Sequence, residues 1–252
     1  MTTFKRFSIL LVIALIAAAT VSAQSSSSRN TNEERTVEES YLQEAIELMI
    51  IKETSYSSSL DQKMLALQYI GEAIDRGNTS DEIREALEHL SMEGLMNQAR
   101  EKGRLVNNFP LARREAAKYL GQLGTAEAQV ALINVCRYEP EPMVLQEAIK
   151  SLGECAGDEC DKAIDAIVWV VSRFDVHNPD NLMALAAIDA IAKIADKNDG
   201  IKVAGAYGLL FRIAEGPYIR PVQNKAREVL NDMRKYSAQQ NKDKEQNQNK
   251  QQ

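Results

Sequence analysis

RREAAKYLGQLGTAEAQVAL, residues 113–132, contains an amphipathic helix, a glycine that closes it and the start of a second helix. Its apolar residues recur at spacings of three and four, the period of a helix with one buried face. The decisive property of this stretch is that the chain repeats it.

Four other stretches fall into register with it: KMLALQYIGEAI, LQEAIKSLGECAG, ALAAIDAIAKIAD and NKAREVLNDM. The reference positions are Ile70, Leu120, Leu152, Ile191 and Leu230, all aliphatic. Four residues earlier stand Ala66, Ala116, Ala148, Ala187 and Ala226, and three residues later Ala73, Leu123, Cys155, Ile194 and Met233. Successive reference residues are 50, 32, 39 and 39 apart, room for a further helix in each interval. One of these intervening helices shows its face at Ile164, Ile167, Val168 and Val171. Each unit is therefore a helical hairpin, and the alanine column lets two helices approach closely while the aliphatic column fills the space beside it. A single hairpin leaves apolar faces bare, so neighbouring hairpins must stack.

The turn chemistry agrees. Thr79-Ser80-Asp81, Thr125 and Asp158 offer capping oxygens, Gly124, Gly157 and Gly216 follow helix ends, and Pro110, Pro142 and Pro221 lie near the starts of second helices. The wide first interval leaves residues 97–109 as an extended helix end or a long loop, and no stretch reads as a strand.

ARREAAKYLGQLGTAEAQVALINV (Ala112 to Val135), followed by LQEAIKSLGECAG, resembles the HEAT repeats, in particular the short bacterial HEAT-like class also found in phycobilin lyases. The resemblance covers Pro110 to Asp196; the outer units join by column agreement. It implies an all-α fold, a right-handed α-α superhelix of about five hairpins, whose second helices line a concave protein-binding surface. An export leader and few aromatic residues set this chain apart from the lyases.

Outside the repeats the composition changes. Lys5 and Arg6 precede the apolar run ILLVIALIAAAT, which ends in Val-Ser-Ala at 21–23. Residues 1–23 thus read as a signal peptide cut before Gln24, with a retained signal anchor as the alternative. Its removal takes away two positive charges and no negative ones, so the net charge of −6 becomes −8. Such an acidic chain lacks the basic stripe that nucleic-acid binding requires. Residues 24–36 contain no apolar side chain and read as a disordered leader; residues 237–252 read as a disordered polar tail. The folded part is then 37–236. The expected location is the periplasm or, beyond it, the medium, with no membrane span after cleavage.

Positions two before and two after the reference column face away from the packed side. They form two ladders: Gln68, Lys118, Lys150, Asp189 and Glu228, and Glu72, Gln122, Glu154, Lys193 and Asp232. Tyr69 and Tyr119, one before the reference residue, add aromatic area. The candidate partner surface is accordingly Gln68, Tyr69, Lys118, Tyr119, Gln122, Lys150, Glu154, Asp189, Lys193 and Glu228, and its mixed signs suit a protein rather than a polyanion. Solvated faces of a solenoid carry the same pattern. Trp169, the one tryptophan, either packs on a neighbouring repeat or marks an exposed patch. GIKVAGAYGLLFRIAEG, residues 200–216, is apolar nearly all round and reads as a helix covered on several sides or, alternatively, as one that covers a binding groove or a dimer contact.

Cys155 and Cys160 bracket the turn AGDE and are close enough in sequence for a disulfide in an oxidising compartment; Cys136 reads as a buried hydrophobe. The two histidines, His89 and His177, lie in different units with no metal-ligand spacing. The paired carboxylates Asp161 and Asp165 read as a solvated helix face. No cofactor and no catalysis are expected. The chain reads as a scaffold or adaptor for another protein of unidentified kind. The alternatives are a structural subunit self-assembling through terminal hairpins and, third, an enzyme or ligand carrier with a site in the groove.

Overall fold

The computed structural model describes residues 37–155, 160–175, 179–198 and 200–249. The expected signal peptide (1–23) and leader (24–36), together with Gly157, Asp158 and His177, lie outside them. The chain divides into two units at Glu44/Ala45. Of the first unit only residues 37–44 are described, the opening turns of a helix; the second unit holds the repeats.

The fold is all-α, with helix–helix packing consistent with a helical solenoid. The helices are α1 (Val37–Ser55), α2 (Leu60–Asp75), α3 (Asp81–Met92), α4 (Pro110–Leu123), α5 (Ala126–Tyr138), α6 (Pro142–Glu154), α7 (Cys160–Asp175), α8 (Asn181–Lys197), α9 (Ala204–Glu215) and α10 (Arg220–Asn249). They form two layers. The second helices pack in series, α2 on α4, α4 on α6, α6 on α8 and α8 on α10, and the first helices do likewise, α3 on α5, α5 on α7 and α7 on α9. Among the described residues no helix is long and apolar enough to cross a membrane.

The repeat columns form the core. All five alanines are fully buried, as are Ile70, Leu120, Leu152 and Ile191, whereas Leu230 is only half-buried.

A further column lies one residue after the reference. Gly71, Gly121 and Gly153 each abut the residue just before the next reference position. A Cβ on them would sit 2.5 Å from Tyr119 Oη, 2.6 Å from Ser151 Cβ and 2.7 Å from Ala190 Cα respectively. These glycines set the closeness of adjacent second helices.

Several ends follow the sequence. Thr125 Oγ1 accepts from the Ala128 amide at 3.2 Å, and Pro110 and Pro142 open their helices. Gly124 takes the left-handed conformation, φ 62°, that ends α4. Asp180 caps α8, accepting from Leu182 and Met183. Ser80 departs from expectation: it precedes α3 but its hydroxyl caps nothing.

Three expectations are corrected. Residues 97–109 hold neither a helix end nor a plain loop but a small antiparallel hairpin, β1 (Arg100–Glu101) with β2 (Arg104–Leu105). Lys102 and Gly103 at its tip both have positive φ, 49° and 81°, the requirement of a tight hairpin turn whose twist matches the strands. Its base is tied by Asn107, whose Nδ2 donates to Asn97 O at 2.7 Å and whose Oδ1 accepts from the Ala99 amide. The tail expected to be disordered continues α10 as helix through residues 237–249; its Gln, Lys and Glu are good helix formers. Lastly, α9 is not covered all round, since Ala204, Gly205, Gly208 and Phe211 are exposed.

Candidate functional site

The ladder residues sit on the second helices, as the repeat register requires, but most of their charges are paired. Lys118 Nζ lies 3.6 Å from Glu115 and 5.3 Å from the centre of the Tyr119 ring, and Lys150 lies 3.2 Å from Glu147. Glu154 pairs with Lys193, linking α6 to α8, and Asp189 pairs with Lys225, linking α8 to α10. Gln122 and Glu228 are exposed. Exposed pairs of this kind contribute little to stability, about 0–1 kcal/mol each, but they neutralise the ladder over α6, α8 and α10.

One part of this surface is concave. A groove of about 670 Å³ runs between α2 and α4. It brings together Gln68, Glu72 and Tyr119 from the expected surface, and adds Asp61, Met64, Leu65, Asp75, Leu111 and Arg114. Leu65 and Leu111 are 41% and 49% exposed. Gln68 Nε2 donates to Glu72 at 3.1 Å, and Arg114 is engaged by Glu115 at 2.7 Å. Tyr119 lines the groove with its ring against Gly71, and so serves packing and surface at once. Tyr69 is half-buried against the core.

Beneath this surface lies a network that was not expected from the sequence. Lys63 and Arg113 both stand seven residues before a reference position, on the core side of α2 and α4, and both are buried. Lys63 Nζ donates to Ser55 O at 2.8 Å and to Glu93 Oε2 at 3.1 Å. Arg113 makes a two-pronged pair with Glu139, at 2.6 and 3.1 Å, in which neither side chain has any solvent exposure. Its remaining Nη1 donates to Glu93 O at 3.1 Å and Asn108 Oδ1 at 2.9 Å. Glu93 and Glu139 come directly after the first helices α3 and α5, so the two pairs occupy equivalent places in successive repeats. In the last unit Gln223 stands at the same position and donates to Gly216 O, just past α9; the middle units have Leu145 and Ala184 there, both buried.

The signal is nevertheless present in the sequence: two basic residues stand where the apolar column demands a hydrophobe, each with a glutamate after a first helix.

His89 joins this network. Its Nε2 is 3.0 Å from Glu93 Oε2, and its ring stacks on Tyr56 with centroids 4.0 Å apart. Burial lowers its pKa; Glu93 opposes that shift and Lys63 adds to it. Ligand chemistry of the kind a groove enzyme needs would use buried polar groups of this sort. Here Lys63, Arg113, Glu93 and Glu139 satisfy one another, so the cluster ties α2, α3, α4 and α5 together. Among the described residues no group of three or more His, Cys, Asp or Glu side chains is placed to hold a metal ion.

Cys136 and Cys155 are buried and Cys160 is partly exposed; the turn between Cys155 and Cys160 lies outside the described residues. Burial pushes Cys136 up to about 12 and Cys155 up to about 11, in the latter case against the nearby Lys197. Cys160 receives a hydrogen bond from Asn198 Nδ2 at 3.3 Å.

Trp169 takes the exposed alternative. It is 45% exposed on α7, with the Arg173 guanidinium 4.6 Å from its ring centre.

No known protein-family model matches the chain, and a search of curated proteins finds no match either.

Proposed function

We propose that this chain is an exported, periplasmic HEAT-like scaffold that binds another protein through the surface of its second helices. The observation that carries the reading is the α2–α4 groove: two exposed leucines, Leu65 and Leu111, flank an aromatic wall at Tyr119 and are rimmed by carboxylates. An apolar centre within a polar rim is the composition of a binding patch. Stacked helices already hold the groove in shape, which lowers the ordering cost of association. The paired ladder over α6 and α8 supplies a polar flank rather than the anchor. In this reading the buried charges stiffen the frame, and the chain binds without catalysing.

The test is affinity capture from native extract with the parent and with a Leu65→Asp/Leu111→Asp variant. Both side chains are partly exposed, so the variant should keep its helical circular dichroism. A protein retained by the parent and lost by the folded variant supports the reading. Equal capture by both would move the binding surface off this groove.

A further inference from the structure

We propose that a second copy of this chain docks the exposed face of its α1 into the groove between α5 and α7. This concerns the first-helix layer and does not depend on the adaptor reading.

The groove, about 440 Å³, has an apolar floor and wall of Ile133, Ala166 and Trp169. Arg137, Lys162 and Asp165 stand at its rim. Arg173 adds a third positive charge beside the indole. Its Nη2 donates to Glu139 O at 2.9 Å and its guanidinium also lies 5.0 Å from the Phe174 ring centre. The tryptophan is therefore presented in a fixed orientation while 45% exposed. In a chain of net charge −6 this is a locally basic, aromatic hollow. Tryptophan and arginine in such a setting are the residue types that dominate association energies.

The complementary face is on the same molecule. Ile46, Met49 and Glu53 of α1 share one side at i, i+3 and i+7. Ile46 is 45% and Met49 63% exposed, and Glu53 is exposed. Aliphatic side chains followed by the Glu53 carboxylate match an aromatic hollow with arginine on its rim, in shape class and in sign, while the exposed Lys52 of the same turn sits to one side of that face. The two patches differ, so the contact is heterologous: each copy offers a helix to one neighbour and a groove to the next. Such contacts propagate head to tail unless rotation closes a ring.

The experiment uses protein purified from cells that express the full chain. Mass is followed by light scattering, and the emission of the lone Trp169 is recorded from micromolar to near-millimolar concentration. We expect the mass to grow and the emission to shift to the blue along one curve, as the indole leaves water. Arg137→Glu spoils the groove; Ile46→Asp/Met49→Asp spoils the helix. Each variant alone should associate at least about ten-fold more weakly than the parent. Mixed together they should form a pair of one copy each that grows no further, because one retains the helix and the other the groove. A parent that stays monomeric over the whole range overturns the proposal. So does association that survives in both variants, and so does a mixture that fails to pair.

Discussion

Arg113→Met offers the sharpest test of how the frame is held together. Methionine preserves most of the stem but leaves the Glu139 carboxylate, which has no solvent exposure, without its cation. Removing one partner of a buried pair costs about 3–5 kcal/mol, because the survivor stays charged and unsolvated. The same change strips a donor from Glu93 O and Asn108 Oδ1. Domains are stable by only about 5–15 kcal/mol, so the loss is a large fraction of the whole. At a urea slope of about 2–3 kcal/mol/M, the unfolding midpoint should fall by about 1–2.5 M. Urea titration followed by helical circular dichroism reads this directly.

The second variant fixes the cause. Glu139→Gln added to Arg113→Met removes the stranded charge, and the amide oxygen can still accept the Glu141 N–H that Glu139 Oε1 accepts at 2.9 Å. The double variant should therefore be more stable than Arg113→Met alone, by about 1–3 kcal/mol. A double variant that is less stable than the single, or a single within about 0.5 kcal/mol of the parent, would refute the argument that Glu139 is held as a buried anion.

Three other outcomes rest on the same geometry. Gly153→Ala should destabilise by about 1–3 kcal/mol, since its Cβ would meet the backbone of α8 at Ala190 Cα, 2.7 Å away. Gly71→Ala should cost less, because there the obstacle is the end of the Tyr119 ring, which can swing aside; thermal melts of the two variants decide it. His89 resists protonation when folded, so stability is complete above its unfolded pKa of about 6.5 and declines as pH falls from there through its lower folded value. His89→Gln should remove that part of the slope, at most about 1.4 kcal/mol per pH unit, in denaturation curves taken from pH 7.5 to 5. Finally, alkylation of the native protein followed by peptide mass analysis should leave Cys155 and Cys136 unlabelled until the protein is unfolded, because their thiols are buried and hard to ionise. Label on Cys136 before unfolding would contradict the packing of α5.

The repeat is legible because a helical hairpin writes its packing locally. Ala116, Leu120 and Leu123 lie on one face of one helix, and the same spacing recurs wherever another helix must meet the same neighbours. The hairpin at 100–105 leaves no such trace, because four strand residues carry no periodicity and only Lys102-Gly103 marks its turn. Ladder positions such as Lys193 and Asp189 fall on the second helices by register alone. Their pairing with Glu154 and Lys225 does not show in the sequence, because those partners are 39 and 36 residues away along the chain. Trp169 can be read either way, since exposure of one side of α7 depends on where α5 and α9 stop.

The sequence by itself determined the helices, their order and the residues that each turns inward, since those follow from a 3.6-residue period and from caps a few residues long. The tertiary structure decided which exposed residues lie beside one another and which charges are already spent. Lys63 with Glu93, Arg113 with Glu139, Gly153 with Ala190 and the hollow around Trp169 all join separate helices. The distance between such residues is set by how the hairpins stack, and no local spacing encodes it.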